Sequence, residues 1–429
     1  MVRDTTADGR GVAVVDGKTV FIDAALRGEE VTFRRRRKRK NYDEATLISV
    51  DRSAASRVTP RCEYFGVCGG CTLQHLDAPQ QLALKQQAVL EALKRIGKVA
   101  PVRVLEPLRG KAFGYRRRGR LGARYVDKKG RVLVGFREKD KPYIADMHSC
   151  QTLDSRLAVL LEPLAELLAE LTIMRAVPQI EVSAGDTEVA LVLRALEPPQ
   201  PADTDALRQF AQRHGVQLWL QSGGPDTLRP LEPSAPSELE YRLVDAGLRF
   251  RYGPLDFVQV NQEMNQLMVR RAMELLQPEP GQHVLDLFCG IGNFSLPVAH
   301  HGARVTGVEF DPAMVARASS NAALNQLEGT QFVAADLQLE GSPAPFWEQA
   351  CDAVLLDPPR AGAREILPQI AATGARRIVY VSCHPGSLAR DAGLLVAEHG
   401  YRLQAAGSMD MFPQTSHIEA MALFERSAR

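Results

Sequence analysis

The chain has 429 residues, of which 45% are hydrophobic and 24% charged, and its formal net charge is +2. These values describe a globular protein of two or three domains and exclude one that is basic throughout. No apolar stretch has the length of a membrane span, and Met1–Thr5 lacks the apolar core of a signal peptide, so a cytoplasmic location without a membrane partner is expected. The 7 cysteines are an odd number, which in a reducing compartment argues against a disulfide framework.

Residues 1–55 read as a small all-β module. Gly11–Val15, Lys18–Ile22, Glu30–Phe33 and Thr46–Val50 are short strands, and Asp16-Gly17 is a hairpin turn between the first two. So many short strands in so few residues suggest an OB-like barrel. The run Arg34 to Lys40 is wholly basic. Such runs are commonly solvated tails, but this one lies between strands of a fold often used on single-stranded nucleic acid.

Residues 56–252 form a middle region that is mainly β. It opens with Cys62, Cys68 and Cys71, to which a distant Cys150 adds a fourth thiol. Four sulfurs suit either zinc or an iron–sulfur cluster, and the spacing is neither a zinc ribbon's nor a radical enzyme's. A helix is expected from Gln80 to Ile96, and an amphipathic one between Leu157 and Met174. Pro198, Pro199, Pro201 and the stretch Pro225 to Pro236 mark loops. A second basic cluster holds Arg116, Arg117, Arg118, Arg120 and Arg124, with Phe113, Tyr115 and Tyr125 interleaved.

Residues 253–429 alternate strands with helices, the pattern of a doubly wound parallel sheet that binds ligands at the carboxyl ends of its strands. The first strand runs into Asp286-x-Phe288-x-Gly290-x-Gly292-x-Phe294, a glycine turn that lets backbone approach a ligand. Dehydrogenases share such turns. Acidic residues close the next three strands: Glu309, placed for ribose hydroxyls, Asp336, placed for an adenine amine, and Asp357 before Pro358-Pro359-Arg360. The glycine spacing is not GxGxxG, which favours S-adenosylmethionine over a dinucleotide.

Cys383 follows the fifth strand, just before a helix at Pro385, whose amides are expected to lower the thiol pKa. A cysteine beside a methyl donor suits pyrimidine C5 methylation. Carbon C5 becomes nucleophilic enough to take a methyl group once a thiolate has added at C6. A base must then remove the C5 proton. Glu419 is a lone acid in the apolar last strand, where desolvation would raise its pKa, and His417 is the rival. A lone acid there is equally compatible with a structural pairing.

Together these residues resemble the RNA uracil-C5 methyltransferases, in particular their bacterial 23S rRNA branch. The resemblance spans nearly the whole chain and includes Asp256–Asn261, Asp286–Gly290, Leu356–Gly362, Ser382-Cys383 and His417–Glu419. It implies a Rossmann-like S-adenosylmethionine methyltransferase domain, an N-terminal OB-like (TRAM) module and a [4Fe-4S] cluster on Cys62, Cys68, Cys71 and Cys150. It further implies Gln259, Phe288, Asn293, Glu309, Asp336 and Asp357 as donor-binding residues, Cys383 as nucleophile and Glu419 as base. The implied product is 5-methyluridine at one uridine of 23S rRNA, uracil 1939, with no obligate protein partner evident.

His384 departs from the asparagine that many members carry after the nucleophile. Phe257 and Phe294 are candidates to stack on a flipped base. The alternatives are a tRNA uracil-C5 enzyme, a relative with another or a second target uridine, and a non-catalytic ribosome-assembly factor that binds RNA. Protein N-methylation fits less well, because those enzymes favour Asn-Pro-Pro-Tyr over Asp357-Pro358-Pro359-Arg360.

Overall fold

The structure, a computed structural model, describes residues 1–233, 238–338 and 345–426. The end of the proline-rich stretch, including Pro236, lies outside the described residues.

Five strands form the N-terminal sheet: β1 (Asp4–Thr5), β2 (Arg10–Val15), β3 (Lys18–Asp23), β4 (Glu30–Lys38) and β5 (Tyr42–Arg52), in the order β1-β2-β3-β5-β4. Asp16 and Gly17 both have positive φ, 52° and 78°, as a tight hairpin turn requires. A small core of Val2, Ala13, Val20, Ile22, Ala25 and Ala45 lies beneath. The basic run is not a tail, because Arg34 to Lys38 continue β4 and pair with β5.

Helix α1 (Ala78–Ala92) starts at Asp77, whose carboxylate accepts from Gln80 N at 2.8 Å. It buries Gln81, Lys85 and Val89, one face at four-residue spacing. After β6 (Arg103–Val104), a six-stranded sheet is built from β7 (Arg118–Val126), β8 (Arg131–Gly135), β9 (Gln179–Ala184), β10 (Val189–Arg194), β11 (Gln217–Gln221) and β12 (Arg229–Pro230), in the order β12-β11-β10-β9-β7-β8.

Helices α2 (Ser155–Ala158), α3 (Leu161–Glu170) and α4 (Pro201–His214) pack on this sheet. Helix α4 was not legible from the sequence. Pro201 marks its first turn, where a missing N–H costs nothing, and Gln200 and Asp203 close a capping box. A hairpin, β13 (Leu239–Leu243) and β14 (Leu248–Tyr252), completes the middle of the chain.

The last part holds α5 (Gln262–Leu276), β15 (His283–Leu287), α6 (Ser295–His300), β16 (Arg304–Glu309), α7 (Pro312–Leu324), β17 (Thr330–Ala334) and β18 (Ala353–Leu356). It continues with α8 (Leu367–Ala372), β19 (Arg377–Ser382), α9 (Pro385–Ala397), β20 (Tyr401–Met409) and β21 (Glu419–Arg426). The sheet order is β17-β16-β15-β18-β19-β21-β20-β6, with β15 to β19 parallel and β21 antiparallel to both neighbours.

Successive residues of these strands feed two cores. Val284, Leu355 and Val379 face one, and Leu285, Leu356 and Tyr380 the other. Strand order reverses between β15 and β18, which opens a crevice at their carboxyl ends.

Residues 78–104, grouped by sequence pattern with the middle region, join this sheet instead. Strand β6 pairs in parallel with β20, and α1 packs against β20 and α9. No helix among the described residues is long and apolar enough to cross a membrane.

Candidate active site

The glycine turn after β15 is strongly bent. Phe288 has φ 63°, rare for a bulky side chain, and Gly290 and Gly292 have φ 55° and 90°. The φ of 90° at Gly292 is a conformation that favours glycine, and a Cβ there would also displace Leu296 Cδ1, 2.5 Å away. The register of β15 on β16 brings Glu309 beneath the turn, where its Oε2 accepts from Gly290 N at 3.0 Å.

Asp286 is buried; one carboxylate oxygen accepts from Ser295 and the other has no partner among the described residues. Burial, with Asp357 and Glu309 adding, pushes Asp286 up to about 7 against the Ser295 hydrogen bond. Burial also pushes Asp357, just past β18, up to about 7. These mutually repelling acids beneath open glycine backbone fit a positively charged ligand, as a sulfonium is.

The other expected donor-binding residues come from separate segments. Asn293 Oδ1 accepts from Tyr241 at 2.9 Å and from Asn265 at 3.0 Å, while its Nδ2 donates to Asn265. Asp336 caps its own loop by accepting from Gln338 N.

Gln259 lies on the segment before α5, which arginines of the second basic cluster hold in place. Arg118 donates to Leu255 O at 2.7 Å and also to Asp256 O, and Arg117 N donates to Val260 O at 2.8 Å. Arg117 also pairs with Asp186, and Arg120 with Glu181. Much of that cluster therefore builds structure. A separate cavity of about 660 Å³, lined by Leu243, Gln266, Met273 and His301 among others, shares none of these residues.

Cys383 and Glu419 meet through strand register. The β19–β21 ladder ends at Ser382 opposite Ala420, so the next residues on the two strands are Cys383 and Glu419. Burial pushes Glu419 up to about 8; Asp357 adds to this, and Lys85 and Arg360 oppose it.

The thiol does not follow expectation. Burial, then Glu419 and Asp357, push Cys383 up to about 11, against Arg360 and its own amide. The amides of α9 are outweighed by this burial and these carboxylates; the first turn of α9 is itself capped by His384, whose Nδ1 accepts from Ser387 N at 3.1 Å. His417 is shifted the other way: desolvation and the cations Arg360, Arg116 and Lys85 lower it, so it is neutral near pH 7.

Cys62, Cys68, Cys71 and Cys150 act on one another as charges. Burial first, then the other cysteines, push Cys71 up to about 12 and raise Cys68, and Cys62 is raised by burial and by Cys150. Gln74 lies beside the group: its Oε1 accepts from Cys62 N at 3.1 Å, and its amide opposes the rise of the Cys71 thiol. No three metal-binding side chains among the described residues are placed to hold a single ion. A four-iron cluster instead takes one thiolate per iron. Cys62, Cys68, Cys71 and Cys150 are the residues that would each supply one such thiolate.

Phe294 is 3% exposed within the core and cannot stack on a base, whereas Phe257 is 70% exposed. Sequence reasoning did not single out Lys85 or Asp410, and it named Arg118 only as one of a basic cluster. The one available signal was the four-residue spacing of Gln81, Lys85 and Val89, which puts a lysine on a buried helix face.

The sheet order and the acid-lined turn are those of a nucleotide-binding methyltransferase fold, and the Cys383–Glu419 pair is the one expected for uracil-C5 chemistry. Residues 237–340 and 345–427 match the tRNA (Uracil-5-)-methyltransferase family. The chain is 49% identical over 426 residues to 23S rRNA (uracil(1939)-C(5))-methyltransferase RlmD of Acidithiobacillus ferrooxidans, covering 99% of this chain and 96% of that protein. It is 48% identical to the protein of the same name from Aromatoleum aromaticum, covering 98% of each. The Pyrococcus abyssi tRNA (uracil-54, C5)-methyltransferase, solved with S-adenosyl-L-homocysteine, superposes with a TM-score of 0.76 at 25% identity over 99% of each chain. The chain belongs to the RNA uracil-C5 methyltransferase family.

Proposed function

We propose that this protein makes 5-methyluridine at one uridine of 23S rRNA, by its likeness to the RlmD relatives uracil 1939. The observation that carries the chemistry is the register that sets Cys383 opposite Glu419 beside the acid-lined turn.

When bound, S-adenosylmethionine supplies an electrophilic methyl group on a sulfonium. Asp286, Phe288, Glu309 and Asp336 would line its site, and Gln259, Asn293 and Asp357 would complete it. Cys383 sulfur bonds to C6 of the uracil, and the ring electrons become available at C5. Carbon C5 takes the methyl group as the methyl–sulfonium bond breaks, its electron pair staying on sulfur so that S-adenosylhomocysteine is left. The Glu419 carboxylate accepts the C5 proton, the C5=C6 double bond re-forms, and the S–C6 bond breaks to return the thiolate.

Cys62, Cys68, Cys71 and Cys150 would hold a [4Fe-4S] cluster. The methyl transfer needs no electron, so the role proposed for it is structural: it ties the middle of the chain to the loop before Glu419. Thr72 N and Leu73 N, directly after Cys71, both donate to Gln414 O at 3.0 Å.

Residues 1–55 would serve as an OB-like (TRAM) RNA-binding module, residues 56–252 as the cluster-bearing region and residues 253–429 as the methyltransferase domain. Arg34, Lys38, Arg39 and Lys40 form no ion pair among the described residues, whereas Arg35, Arg36 and Arg37 lie by Asp43, Glu44 or Asp140. The unpaired four are the phosphate contacts of this reading.

The test is transfer of labelled methyl to unmodified 23S rRNA and, separately, to unmodified tRNA, with the labelled base mapped. Label at one 23S uridine is expected; label in tRNA alone would reverse the substrate.

A further inference from the structure

The loop from Asp410 to Ile418 delivers Glu419 to the site, and it is pinned from outside the nucleotide-binding crevice. Glu419 pairs with Met409 across the β20–β21 ladder, so Asp410 directly follows its cross-strand partner. Lys85 reaches this point from α1. Its ammonium donates to Asp410 Oδ1 at 2.6 Å and to Phe412 O at 3.0 Å.

Neighbouring residues of α1 follow the same track. Gln86 Oε1 accepts from Ser408 N at 2.6 Å, and Gln81 and Gln414 exchange two hydrogen bonds of 3.0 Å. The Tyr115 hydroxyl donates to Pro413 O at 2.9 Å, and Asn261 Nδ2 to Met411 O at 3.1 Å.

Two features set Lys85 apart from an ordinary core ion pair. Its side chain is 0% exposed, an unusual cost for a lysine that only packs. It also acts on Glu419 as a charge, and Glu419 acts on it in return.

We propose that Lys85 is a positioning residue for Glu419, fixing the loop that delivers the carboxylate and holding a positive charge beside it. The proposal rests on the reading of Glu419 as the base. The other groups facing Glu419 are Asp357 and Arg360 from the loop after β18 and Cys383 after β19; Lys85 itself also faces Asp410. Without the ammonium, Glu419 holds its proton more tightly, and the step that consumes the carboxylate slows. Addition of Cys383 and methyl transfer come before that step, so a methylated protein–RNA adduct accumulates.

The experiment follows adduct decay after a single turnover in the full-length protein, from pH 6 to 9, in Lys85→Met and in the double variant Lys85→Met/Asp410→Leu. Glu419→Gln serves as the reference. The single variant leaves Asp410 buried without its partner and is liable to unfold, which the double variant avoids. Decay slowed by roughly tenfold to a hundredfold is expected in the double variant, with its rising limb moved to higher pH.

Wild-type decay and pH dependence in the double variant would overturn the proposal, since Lys85 would then only neutralise Asp410. If Glu419→Gln itself accumulates no adduct, the assignment of the base fails and the proposal falls with it. That outcome is distinct from accumulation in Glu419→Gln alone, which overturns only the role of Lys85.

Discussion

Cys383 and Glu419 occupy the first positions past the end of the β19–β21 ladder, which closes with Ser382 opposite Ala420. Opposite residues of antiparallel strands direct their side chains to the same face. A single register therefore brings together the two residues proposed to bond to C6 and to take the C5 proton. Replacing Glu419 by Gln keeps the shape and removes the base, so turnover should fall by about 10²–10⁴-fold. Multiple-turnover assays that count released 5-methyluridine-containing RNA, separate from protein-bound methyl, check this value.

The same pair sets the pH dependence. Glu419 must be ionised to accept a proton, and its pKa is raised to about 8. The Cys383 thiol, raised to about 11, must also lose its proton. Both requirements have one sign, so the single-turnover rate should rise from pH 6 to 9. A rate that falls over this range would mean that a protonated side chain acts in the slow step.

Stability should run the opposite way. Asp286 and Asp357 rise from 3.8 to about 7 and Glu419 from 4.5 to about 8, so between these limits the folded chain binds more protons than the unfolded one. Their contribution is fully present below about 4 and is lost as pH rises through 7 to 8. The melting temperature of ligand-free protein should fall between pH 6 and 8.5, and Glu419→Gln should shrink that fall. Scanning calorimetry across this range measures both.

Asp286 has a buried oxygen without a partner among the described residues, beside the glycine turn. Asp286→Asn should weaken S-adenosylmethionine binding by roughly tenfold to a hundredfold, the usual worth of a hydrogen bond to a charged group. RNA affinity should be unchanged. Calorimetric titration of each ligand separates the two effects.

The basic run divides by its ion pairs. Replacing Arg34, Lys38, Arg39 and Lys40 by Ser should flatten the log–log salt dependence of RNA binding by roughly 0.7 per lost phosphate contact. Replacing Arg117, which pairs with Asp186 at 2.5 Å, should leave the slope unchanged. For the cysteines, anaerobically prepared protein should carry about four iron atoms per chain, and Cys71→Ser should lose them.

Local pattern made much of this site legible. The glycine turn, the acids at the strand ends and the strands carrying Cys383 and Glu419 are contiguous segments with their own periodicity. What escaped was set by contacts between distant segments. Lys85 lies 325 residues before Asp410, and no spacing rule links them. Arg118, read as part of a basic surface, spends its guanidinium on the carbonyls of Leu255 and Asp256. The expected lowering of the Cys383 pKa failed for a related reason: helix amides are visible in sequence, but the burial and the carboxylates that outweigh them appear only on folding.

The most direct measurement is the intact mass of the species that Glu419→Gln forms with S-adenosylmethionine and the target RNA segment. A protein–RNA adduct that carries the transferred methyl, is linked through Cys383 and is absent from Cys383→Ala/Glu419→Gln is expected. An adduct without the methyl, or one that survives loss of Cys383, would contradict the assignment of nucleophile and base.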